Sequence, residues 1–105
     1  MAITNTLVAT TVTSVFYSTG ENAVTTMFFC NTSATTDTDI DVYLVPGGTG
    51  TVGTSTQIIK TLSLPATETF VFDAEKLILE QDDAVYAKAS VNGIVVATIS
   101  SVLTG

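Results

Sequence analysis

The side chains of this chain that could do chemistry are few. There are 10 carboxylates, 3 lysines (Lys60, Lys76, Lys88), one cysteine, no histidine and no arginine in 105 residues. Without histidine there is no imidazole base to activate a serine or the lone Cys30, so the usual nucleophile–base arrangements cannot be built. Glu68, Glu75, Glu80, Asp82 and Asp83 remain as carboxylates for acid–base work, but all fall in turn-like sequence, where charge keeps a loop in water. The expectation is no active site and no cofactor.

Three acids stand at a spacing of two, Asp37, Asp39 and Asp41. On a strand that spacing puts them on one face, where they repel unless solvated or joined by a cation. A calcium loop of the EF-hand kind is not the explanation. Its sixth position requires Gly and is Val42 here, and its twelfth requires Glu and is Gly48. A solvated acidic face is the favoured reading and a cation site the alternative. Cys30 follows Met27-Phe28-Phe29 and is expected to be a buried, inert thiol. Asn31-Thr32-Ser33 has the form of a glycosylation acceptor, read here as chance. The run 46–53 is rich in Gly and Thr but lacks the lysine and the following helix of a phosphate loop. It is expected to be an exposed, flexible loop.

The elements that must carry these residues are strands. Hydrophobic residues make up 46% and charged ones only 12%, and Thr and Val abound. Such β-branched side chains suit a pleated surface. Alternating segments are expected at 3–10, 13–17, 23–31, 39–45, 57–64, 69–73, 77–79, 84–91 and 94–103, with turns about every ten residues. That pattern predicts one domain over 1–105: an antiparallel β-sandwich or jelly roll of about eight short strands. The two-sided apolar run Met27-Phe28-Phe29-Cys30 marks a central strand. Ala74-Glu75-Lys76 is the one place a helical turn is expected. Asn92-Gly93 predicts a two-residue type I′ hairpin joining the last two strands.

Net charge is −7. Phosphate neutralisation needs clustered Lys and Arg, so no nucleic-acid partner is expected, and an acidic membrane surface would repel the chain. The start, Met1-Ala2-Ile3-Thr4-Asn5-Thr6, lacks the basic and apolar regions of a signal peptide, and no window reaches the length of a membrane span. Synthesis and folding in a cytoplasm are expected. The last strand is apolar on both sides, with Val95, Ala97, Ile99 and Leu103 facing one way and Ile94, Val96 and Val102 the other. A second apolar face predicts a contact with another chain at Ile94, Val96 and Val102.

Several stretches together resemble small virion structural proteins of tailed bacteriophages. They are 64–72 (from Leu64-Pro65-Ala66-Thr67-Glu68), Glu75-Lys76-Leu77-Ile78-Leu79 and 82–90 (from Asp82-Asp83-Ala84), with 23–31 and Val42-Tyr43-Leu44-Val45-Pro46. The chain departs from the pattern at Thr67, where Pro-Ala-Gly-Glu-Thr is expected, and at Asp82, where Gly-Asp is expected. Those departures bear on the turns rather than the fold. The resemblance implies a β-sandwich or jelly-roll module that decorates or cements a capsid or serves as a neck or tail accessory. It implies no enzyme and no cofactor. Its partners would be copies of itself and other virion proteins, and its place the virion, after synthesis in the host bacterial cytoplasm. The alternative is a receptor- or carbohydrate-binding module of a tail fibre, for which only Tyr17, Tyr43 and Tyr86 could offer aromatic platforms.

Overall fold

In the computed structural model, residues 2–47, 51–72 and 77–103 are described. The segment Ala74-Glu75-Lys76, expected to hold a helical turn, and residues 48–50 of the Gly-rich loop lie outside them. Nine strands run in chain order: β1 Ala2–Val8, β2 Thr13–Tyr17, β3 Asn22–Asn31, β4 Thr38–Val45, β5 Gln57–Leu64, β6 Thr69–Phe72, β7 Leu77–Leu79, β8 Ala84–Ala89 and β9 Val95–Leu103. No helix occurs among the described residues.

The strands form two antiparallel sheets, ordered β1-β9-β3-β6 and β2-β8-β4-β5, with β7 pairing beside β6 on the same side of β3. Setting β7 aside, successive strands enter the two sheets in the order of a jelly roll, so the fold is an all-β sandwich of that connectivity. Strand β3 is central, as its two-sided apolar run requires, with β9 along one side and β6 and β7 along the other.

The core lies between the sheets. Met27 and Phe29 of β3, Ile99 of β9, Val8 of β1, Ile40 and Val42 of β4 and Val85 of β8 are fully buried there. Ala87, Ala89 and Ala97 are buried among them and leave room for the larger side chains. Each large side chain removed from water in this way contributes about 1.5–3 kcal/mol. In β2 the register shifts between Ser14 and Phe16, an extra residue that lets Val15 and Phe16 both be buried.

Among the described residues, buried side-chain polar atoms all have hydrogen-bond partners. Asn31, at the end of β3, donates its amide to the carbonyls of Thr36 (2.8 Å) and Leu64 (3.0 Å) and accepts from the Ser33 amide at 3.0 Å. The side chain that matched a glycosylation acceptor is therefore an interior fastener of the following loop.

The turns correct one expectation and place two non-glycine residues in left-handed backbone. β8 and β9 do not pair. β8 belongs to one sheet and β9 to the other, so Asn92-Gly93 sits in a link crossing between sheets, not in a hairpin. Gly93 has φ +78 while Asn92 does not have positive φ, which excludes a type I′ turn. A local Asn-Gly signal marks a reversal but cannot specify which strands flank it. Thr67 and Asp82, neither of them glycine, have φ 68 and φ 73. In each case the third residue of a four-residue turn is left-handed, closed by Glu68 N–H to Pro65 O (3.1 Å) and Asp83 N–H to Glu80 O (3.1 Å). These are type II turns without their usual glycine.

Candidate functional site

The two outer faces of the sandwich differ in chemistry. Strands β1, β9, β3, β6 and β7 contain no charged residue at all, whereas the opposite sheet carries Asp39, Asp41, Lys60 and Lys88. On the uncharged sheet, strand alternation and register set the outward side chains in rows. Leu7, Val96, Cys30 and Thr69 form one row, and Asn5, Thr98, Phe28 and Val71 the next. Ile3, Ser100 and Thr26 follow, then Val102, Ala23 and Ile78.

Five large apolar side chains on this face stand open to solvent: Ile3 (67%), Leu7 (58%), Ile78 (57%), Val71 (42%) and Phe28 (37%). Two polar pairs among them are closed within the face. Thr98 Oγ1 donates to Asn5 Oδ1 at 2.8 Å, and Thr25 Oγ1 reaches Ser100 O and Ser100 Oγ at 3.2 Å each. Thr25 is the extra residue of a register shift in β3, which brings it beside Ser100. Among the described residues the face is thus neutral, largely apolar and without side-chain charge.

The structure separates the three residues expected at an interface. Val96 and Val102 lie on this outer face, each half-buried by its neighbours. Ile94 precedes β9 and packs against the core cluster, while its carbonyl accepts from Thr32 N and Thr32 Oγ1 at 2.7 and 2.8 Å. Counting alternation back past the strand's first residue put Ile94 with Val96, but the inter-sheet link does not continue the pleat. Cys30 is corrected likewise: it is half-buried on the outer face opposite Val96, not in the core. Sequence reasoning did not single out Ile3, Leu7, Phe28, Val71 or Ile78. The signal was present as apolar residues at alternate positions on several strands, but only the pairing order collects them on one sheet.

The opposite outer face is polar. A shallow groove of about 320 Å³ is lined by Thr10, Asp39, Asp41, Thr61, Lys88, Ala89 and Ser90. Asp41 is already occupied. Its Oδ1 accepts from Thr61 N (2.6 Å) and Gln57 Nε2 (3.2 Å), and Lys88 Nζ stands 3.9 Å from Oδ2. The Thr61 amide bond helps hold a β-branched residue at φ 52, a conformation that costs about 1–2 kcal/mol. Asp37 accepts from the Ala66 amide at 2.9 Å and so fixes the turn after β5 rather than joining Asp39 and Asp41. Among the described residues no three His, Cys, Asp or Glu side chains gather in a way that could hold a metal.

Asp82 and Asp83 lie at the other end of β4, where they organise loops. Asp83 accepts from Gly47 N (2.8 Å) and Glu80 N (2.9 Å), and Asp82 Oδ1 accepts from the Tyr17 hydroxyl at 2.5 Å. That hydrogen bond, reinforced by the charge of Asp82, raises the Tyr17 pKa above its ordinary value. The Gly47 amide is thereby committed to a carboxylate of the same chain. Of the three tyrosines, Tyr43 is buried, Tyr86 is half-buried and only Tyr17 is open. No family model matches the chain, and neither a curated protein nor a solved structure is similar to it at a significant level.

Proposed function

We propose that the chain is a structural module of a tailed-bacteriophage virion that packs against other virion proteins through the outer face of its uncharged sheet. The observation that carries this reading is charge segregation. In a chain of net charge −7, five adjacent strands carry no charge and leave five large apolar side chains in water. Apolar patches of this kind on small soluble proteins mark contact surfaces. Burying each such side chain against a partner supplies up to about 1.5–3 kcal/mol. The jelly-roll connectivity, an architecture of viral capsid and lectin domains, supports the reading by analogy of fold alone, and so do the sequence stretches that resemble virion proteins. The role needs no catalysis and no cofactor. The capsid decoration or cement position and the neck or tail accessory position both use such a face. The alternative of a carbohydrate-binding module draws less support, because Tyr43 is buried and the Tyr17 hydroxyl is engaged by Asp82.

The test is a variant carrying Phe28→Asp and Val71→Asp, two outward residues that face each other across β3 and β6. Circular dichroism and a thermal melt should show the domain folded, since neither side chain belongs to the core. Binding to purified particles of the phage that encodes it should be lost, and for the wild type it should persist or strengthen as salt rises. Particles in which cryo-electron microscopy finds no copy of the chain, or a double variant that binds as the wild type does, would refute the proposal.

A further inference from the structure

We infer that β1 is a self-pairing edge: β1 of one copy adds antiparallel to β1 of a second copy, about a two-fold axis at Asn5. This deepens the packing role proposed above and rests on it for the need to assemble at all.

A sheet edge presents unpaired amides and carbonyls, and monomeric proteins guard such edges with charge, bulges or shortness. Every other edge of this sandwich is guarded. β2 carries a register shift, and β5 carries Lys60 and two register shifts beside the left-handed Thr61. Among the described residues β6 and β7 are only 4 and 3 residues long. β1 has none of these features. Its 7 residues include no charge, no Pro and no Gly, and its register with β9 is continuous from Ala2 to Val8.

The backbone of β1 is aimed for such pairing. Val8 gives its carbonyl to Gly93 N (3.3 Å), on the β9 side, whereas Ala9 gives its carbonyl to Ala89 N (3.0 Å) of the opposite sheet. Alternation along an antiparallel strand then points the amides and carbonyls of Ile3, Asn5 and Leu7 away from β9, into solvent.

A second copy fits this edge better than an unrelated strand for two reasons. The first is register. Antiparallel pairing centred on Asn5 sets Ile3 of one copy opposite Leu7 of the other and Asn5 opposite Asn5, an isologous contact in which each patch meets itself. Two exposed apolar side chains at each end of the pair then cover one another, and about six backbone hydrogen bonds form. The second reason is charge. Two copies of net charge −7 repel wherever their acids approach, but the joined sheets bring none together, because the five strands on either side are uncharged. The product is one sheet, β6-β3-β9-β1 continued by β1-β9-β3-β6, whose uncharged outer face spans both copies. The virion partner would meet this doubled face.

Asn5→Pro removes the central edge amide and obstructs a second strand, while edge positions tolerate Pro. Sedimentation should show a dimer for the wild type at high micromolar concentration and a monomer with a preserved melt for Asn5→Pro. Asn5→Cys should form a disulfide-linked dimer under mild oxidation, with the wild type, which carries only Cys30, as the control that does not. If Asn5→Pro fails to fold, the cross-linking result decides alone. A wild type that stays monomeric, or Asn5→Cys that fails to cross-link, overturns the inference. In that event Phe28→Asp with Val71→Asp still tests the outer face separately, so failure of the edge and failure of the virion role give different results.

Discussion

Gly47→Ala is expected to be among the most damaging single-methyl additions in this fold, although Gly47 is not buried in the core. A Cβ at Gly47 would stand 2.6 Å from Asp82 Cβ, 2.7 Å from Asp82 C and 2.9 Å from Asp82 O. Two of those atoms are main chain, and Asp82 cannot retreat freely. Its amide is held by Ser18 O at 2.8 Å and its carboxylate by the Tyr17 hydroxyl. Either the 46–47 segment moves, losing the 2.8 Å bond from Gly47 N to Asp83, or the Ser18–Asp82 connection breaks. Overpacking costs about 1–3 kcal/mol and a lost hydrogen bond to a charged group about 1.5–3 kcal/mol; partial relaxation keeps the sum near 2–4 kcal/mol. With a urea m-value a little above 1 kcal/mol/M for a domain of this size, the denaturation midpoint should fall by roughly 2 M at unchanged slope. Gly53→Ala is the control. Its Cβ would meet nothing within 4 Å and its φ is not positive, so it should be neutral or slightly stabilising. A Gly47→Ala midpoint within error of the wild type, or an equal loss in Gly53→Ala, would show that the contact between the two loops is not as tight as the geometry requires.

Two further outcomes follow from the turns and the loop cluster. Thr67→Gly should stabilise the domain by about 0.5–1 kcal/mol. It relieves a left-handed β-branched residue worth about 1–2 kcal/mol but adds unfolded-chain entropy worth about 0.4–1 kcal/mol. Chemical denaturation of the two proteins decides, and a destabilised Thr67→Gly would contradict the turn assignment. The Tyr17–Asp82 hydrogen bond should make stability fall in alkali. Because the folded pKa of Tyr17 is raised, its contribution is fully present below the unfolded value of about 10 and is lost as pH rises through the folded value. Melts of wild type and Tyr17→Phe between neutral pH and pH above 10 should converge at the alkaline end, and parallel curves would show that the bond contributes nothing.

Much of the architecture was legible locally because strand formation and facing depend on neighbours two residues apart. The alternation of Ile40, Val42 and Leu44 with Asp39 and Asp41, and of Val85, Ala87 and Ala89 with Tyr86 and Lys88, sorted core from surface as the structure does. Tyr43 is the exception: it alternates with the outward side chains yet is buried, beside a register shift in the pairing of β4 with β5.

Composition and alternation alone determined that this chain is all-β, where its strands fall, and that β3 is central, since those properties follow from side-chain shape and a period of two. Only the tertiary structure decided which strands are neighbours. That choice turned Asn92-Gly93 from a hairpin into an inter-sheet link and packed Ile94 against the core. It also collected Ile3, Leu7, Phe28, Val71 and Ile78 from four strands onto one uncharged sheet. Strand pairing is set by contacts between residues far apart in sequence, each specified by mutual fit across the core. No local pattern carries that information, so the candidate interface emerged only when the sheets were assembled.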